Sequence, residues 1–168
     1  DSNLTYKGAP VTEISGLDHI EGEEVGIVVD GAGHIDAVVE NGKVQLTGEA
    51  STVQVGLKSA ARIKTQKLEG GTPLGTSQGR KKRTDRMYLR IRDTKDLRYG
   101  EDINNLQLYD RVPIDKIMGL ADPLETGDIQ LQWKGGYSTD AQYIFQFDGG
   151  FPATILMIAP NVTEYDRS

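Results

Sequence analysis

The chain has 168 residues, 20 glycines, no cysteine and a net charge of −6. That length is one ordinary domain, or one domain carrying a small inserted module. The absence of cysteine excludes disulfides, thiolate metal sites and cysteine nucleophiles.

The charges fall in blocks. Residues 1–50 carry ten acids against Lys7 and Lys43, residues 80–98 carry nine bases against Asp85, Asp93 and Asp96, and residues 101–168 are acidic again. Blocks of opposite sign bear on association rather than on fold. No apolar run reaches about 18 residues, so no membrane span is expected. The chain opens DSNLTYKG, without Met or a charged-then-apolar leader. This reads as a piece of a longer protein without a signal peptide, the alternative being a processed mature terminus.

Leu4–Tyr6 and Val11–Ile14 read as two strand pieces interrupted by Gly8 and Pro10, an interruption that implies an edge or a bend. Between residues 17 and 57, short apolar runs alternate with polar residues, as half-buried strands do. Strands are expected near 24–30, 35–40, 43–47 and 52–56, with Asp30-Gly31 and Asn41-Gly42 supplying the positive φ of tight hairpin turns. Such a meander closes into a small barrel-like module inserted between two neighbouring strands of a larger sheet. Residues 61–68 would leave the module and pair with the first strand.

Residues 69–79 form a loop by composition. In the strand that follows, Met87, Leu89 and Ile91 alternate with Tyr88, Arg90 and Arg92, giving one apolar and one basic face. Leu106, Leu108 and Tyr109 read as a short strand ended by Val112-Pro113, and Asp115–Ala121 as one helical turn capped by Asp115. Asp122-Pro123 and Thr126-Gly127-Asp128 mark turns. Ile129, Leu131 and Trp133, then Tyr143, Phe145 and Phe147, read as a hairpin joined by residues 134–140. The run Ala153–Ala159 reads as a strand buried on both faces. The expected fold is mainly β: a single antiparallel sandwich or barrel over residues 1–168, with 17–57 as its inserted module and little helix.

No catalytic constellation emerges. His19 and His34 lie near Asp18, Glu21, Asp30 and Asp36, but their spacing matches no metal motif. Ser51, Ser59 and Ser77 lack a nucleophile elbow, and GTPLGTSQGRK lacks P-loop spacing. No enzyme activity, metal or cofactor is expected. Trp133, Tyr137, Tyr143 and Phe147 form either a sugar platform or, as is usual for such residues in a hairpin, part of a core.

The basic row Arg80, Lys81, Lys82, Arg83, Arg86, Arg90 and Arg92 suits phosphates, yet only Tyr88 is interleaved with it and the chain as a whole is acidic. An acidic protein surface accounts for both charge blocks. The expected interface therefore joins Arg80, Lys81, Lys82, Arg83, Arg90 and Arg92 to Glu21, Glu23 and Glu24 of a neighbouring copy.

The words SGLDHIEGEEVGIVVDGA, VVENGKVQL, ASTVQVGL and GTSQGRKKR, with YSTDAQYIFQF and FPATILMIAPNV near the end, resemble a recurrent segment of nozzle- or hub-type structural proteins of bacteriophage tails. Such segments are often described as similar to the first catalytic-cysteine half-domain of ubiquitin-activating enzymes, a likeness that without cysteine concerns shape alone. The resemblance implies a virion protein made in the host cytoplasm, assembling as a homo-oligomeric ring with other tail proteins. A carbohydrate-binding module for host adsorption is the alternative.

Overall fold

A computed structural model describes residues 2–31, 33–72, 75–109 and 123–165. The protein is mainly β, 64% strand and 2% helix, in three antiparallel sheets. The expected helical turn at 115–121, the Val112-Pro113 strand end and Asp122 of the Asp-Pro turn lie outside the described residues.

The chain divides into two compact units, one built mainly from residues 1–60 with Asp148–Phe151, the other from Ala61–Asp110, Leu124–Phe147 and Pro152–Ser168. The first contains β1 (Asn3–Ser15), a single 3-10 turn (Asp18–Ile20), β2 (Glu24–Val29), β3 (Gly33–Val38) and β4 (Lys43–Leu57). Their sheet order is β1-β4-β2-β3.

The two expected strands at 43–47 and 52–56 are one continuous strand. Its buried positions run Val44, Leu46, then Ala50, Val53, Val55, a change of alternation that bends the strand. β1 follows the bend, with register shifts between Lys7 and Val11 and between Val11 and Glu13; this is the irregularity that Gly8 and Pro10 announce. The turn signals hold: Asn41 and Gly42 have φ of 54° and 68°, and Asp30 and Gly31 have 47° and 69°.

Two expectations are corrected. The first strand pairs with β4, not with residues 61–68. Among the described residues the module is an open sheet and no barrel closes, because β4 takes β1 and β2 as its neighbours and leaves β3 at an edge. The core face collects Ile14, Leu17, Val25, Ile27, Val44, Val53 and Val55.

The second unit is a sandwich. It contains β5 (Ala60–Lys64, whose first residue closes the other unit), the two-residue strands β6 (Gly71–Thr72) and β7 (Gly75–Thr76), β8 (Lys81–Thr94), β9 (Leu97–Gly100), β10 (Gln107–Leu108), β11 (Glu125–Gln132), β12 (Ile144–Asp148) and β13 (Thr154–Tyr165). One sheet has the order β11-β8-β13, the facing one β10-β9-β12-β5. The inner faces supply Met87, Leu89, Ile91, Ile129 and Leu131 from the first, and Leu97, Tyr99, Phe145 and Phe147 from the second. A buried hydrogen bond of 2.6 Å between the hydroxyls of Thr84 and Tyr143 ties β8 to the segment before β12.

The expected hairpin of 129–133 with 143–147 does not form. The apolar alternation of both strands is right, but β11 pairs with β8 and β12 with β9. Thr126-Gly127-Asp128, expected as a turn, lies within β11, where Gly127 and Asp128 pair with Ile91 and Arg90. Alternation marks a buried face and says nothing about the neighbour. Nor is Ala153–Ala159 buried on both faces: β13 is an edge strand that runs on through Pro160, and Leu156 and Met157 are 55% and 40% exposed.

Leu89 is fully buried in the centre of β8. Leu89→Ala is expected to cost about 2–5 kcal/mol in urea denaturation, whereas Leu156→Ala at the exposed edge should change stability by less than about 0.5 kcal/mol.

Candidate interaction surface

The basic row is organised by β8. Lys81, Arg83, Arg86, Tyr88, Arg90 and Arg92 point outward, while Lys82, Thr84, Met87, Leu89 and Ile91 are buried. Simple alternation would bring Arg86 inward. It does not, because Thr84 pairs with Val162 and Arg86 with Asn161, leaving Asp85 as an extra residue. This β-bulge resets the faces, so that every arginine of the strand faces solvent.

Lys82 departs from expectation. It belongs to the basic row expected at the interface, but strand alternation turns it inward. It is 2% exposed, and its Nζ donates to the Ser77 carbonyl oxygen at 2.8 Å.

Much of the remaining charge is answered within the chain. Arg80 lies 3.9 Å from Glu164 and Arg83 lies 3.1 Å from Asp85. Arg90 donates from Nε and Nη2 to the two carboxylate oxygens of Asp128, at 2.7 and 2.9 Å. That forked bond holds the Asp128 carboxyl below the usual aspartate range. Among the described residues Lys81, Arg86 and Arg92 make no ion pair.

The acidic trio is similarly divided. The Glu21 carboxylate accepts from the backbone N–H groups of Asn41 and Gly42 at 2.7 and 2.6 Å, clamping the hairpin turn between them. Glu24 pairs with Lys58 at 2.8 Å, and Lys58 reaches Asp36 at 2.8 Å, which in turn contacts His34 at 2.9 Å. Hydrogen bonding from Lys58 is the main reason the Asp36 carboxyl titrates below its usual range. The Glu23 side chain is exposed.

The chain matches no protein-family model, and no curated protein is similar to it in sequence.

Concave regions lie on both units among the described residues. A cavity of about 230 Å³ in the first unit is lined by the paired glycines Gly26 and Gly56 and by His34, Gln54 and Lys58, among others. Another, about 190 Å³, lies beside Glu101, Asp102 and Trp133. Trp133, Tyr143 and Phe147 are core residues, 7%, 2% and 8% exposed, and the Trp133 indole N–H donates to Glu101 at 2.8 Å. Tyr137 is 52% exposed and packs edge-on against Tyr165, ring centroids 6.1 Å apart. Among the described residues no three His, Asp or Glu side chains are grouped so as to hold a metal ion.

Sequence reasoning missed two features. Tyr165 lies opposite Lys81 in the β13–β8 ladder, a proximity that no local pattern reveals. The edge position of β13 did have a signal: Pro160 lacks the N–H that an interior strand needs.

Asp128 and Asp36 have depressed pKa values when folded, so their ion pairs contribute stability above the unfolded-state aspartate pKa, about 3.9. That contribution is lost as pH falls through the folded values. Carboxyl NMR titration should show both groups titrating below ordinary aspartate, and Lys58→Ala should return Asp36 towards the normal value.

Proposed function

We propose that the chain is a structural protein of a phage-tail assembly, of nozzle or hub type, that works by joining copies of itself. The resemblance of its sequence words to such proteins supplies the context. The observation that carries the reading is β13, a twelve-residue strand at a sheet edge in which no residue is fully buried. A long apolar edge with unpaired backbone groups is a template for another strand unless it is blunted. Pro160 blunts the middle of it; among the described residues no strand pairs with the outer edge of residues 154–159.

The neighbour that fits is a second copy. The sheet β11-β8-β13 has, among the described residues, an edge strand at either side. The β13 of one copy and the β11 of the next can therefore extend a single sheet across the subunit boundary. Such a contact joins different patches of identical chains and gives a ring when the rotation closes. The internal pairing of Arg80, Arg83, Arg90, Glu21 and Glu24 leaves rim charge the smaller role of orienting approach.

Light scattering coupled to size exclusion tests this reading. The wild-type chain should associate as its concentration rises. The double variant Leu156→Lys/Met157→Lys should remain monomeric with an unchanged melting midpoint. A wild type that stays monomeric throughout, or a double variant that associates equally well, would overturn the proposal.

A further inference from the structure

We infer that the solvent face of the β11-β8-β13 sheet binds single-stranded nucleic acid. The face, as distinct from the edge, stays open when strands are added at β13, so the inference is independent of the assembly reading.

β8 presents Lys81, Arg83, Arg86, Arg90 and Arg92 along one line, and all five are exposed. Alternate residues of a strand stand about 6.6 Å apart. In a strand stacked as in a duplex, every second phosphate lies about 6.8 Å further along the axis. The line from Lys81 to Arg92 is about 35 Å long at strand rise, enough for roughly ten nucleotides. Lys81, Arg86 and Arg92 carry their charge without an ion pair among the described residues, and the pairs of Arg83 and Arg90 are exposed to solvent, where a phosphate can replace the carboxylate.

The charges alone would suit any polyanion. The neighbouring strands add groups that read bases. Tyr88 stands in the middle of the row, 38% exposed. The antiparallel pairing of β13 sets Tyr165 beside Lys81 at one end of the row, where Tyr137 packs against it. Bases stack on such rings whatever their sequence. Gln130 lies beside Tyr88, and both Gln132 and Asn161 lie beside Arg86; their side-chain amides both donate and accept, as base edges require. An acidic protein partner would engage the arginines but has no comparable use for stacking rings along a cationic track.

Fluorescence anisotropy with a labelled oligothymidylate of about 15 nucleotides, longer than the roughly ten-nucleotide site, tests the inference. The wild-type chain should bind, with affinity falling as salt rises. Tyr88→Ala should weaken binding by about 5- to 150-fold at an unchanged salt slope, and Tyr88→Phe should restore it. Arg86→Ala/Arg92→Ala should lower the log–log salt slope by about 1.4, the amount expected for two phosphates. Unchanged melting midpoints keep these readouts apart from misfolding. Absence of binding overturns the inference. So does equal binding of heparin with no effect of Tyr88→Ala, which would mark a bare polyanion patch. Displacement of the oligonucleotide by polyglutamate at matched charge would overturn it in favour of an acidic protein.

Discussion

β8 is the element on which the second unit depends. It is the central strand of its sheet and contributes Met87, Leu89 and Ile91 to the core. A fourteen-residue strand with six cations can occupy that position only if its two faces are separated along its whole length. The bulge at Asp85 shifts the alternation so that the arginines on either side of it stay in water, and a second irregularity at Arg92 and Asp93 shifts it again near the strand end. Burying even one of them unpaired would carry a desolvation penalty of several kcal/mol. Lys82, the one cation turned inward, has a backbone carbonyl as its partner.

The first unit rests on a different device. β4 is long enough to bend, and β1 follows it on one side while β2 pairs with its second half on the other. The Asn41-Gly42 turn that starts β4 is fixed by two backbone hydrogen bonds to Glu21. An acid expected to face a neighbouring subunit therefore holds the local fold. Glu24 is drawn into the Lys58–Asp36 pairs in the same way. Exposed ion pairs of this kind contribute little individually, but they remove charge that an interface would otherwise use.

Much of the fold was legible wherever the signal was local. Period-two alternation located β2, β8, β11 and β12 and their buried faces, and the Asn-Gly and Asp-Gly turns lay where positive φ was needed. Pairing was not legible, because neighbours in a sheet are set by contacts distant in sequence. β1 therefore found β4, and two strands read as one hairpin went to opposite layers of the sandwich. β9 escaped notice although Leu97 and Tyr99 alternate as buried residues, since four residues make a short pattern. At the candidate surface, the outward direction of Arg90 and Arg92 followed from alternation. The inward turn of Lys82, the carboxylate partners and the tyrosines from other strands did not.

Assembly on this account covers a strand that the isolated chain leaves open. Hydrogen exchange measured before and after association tests it most directly. The β13 amides that point away from β8 should exchange fast in the monomer and slowly in the assembly, while the Met87–Ile91 amides stay protected in both. Equal exchange of β13 in the two states would contradict the account, because another surface would then join the copies.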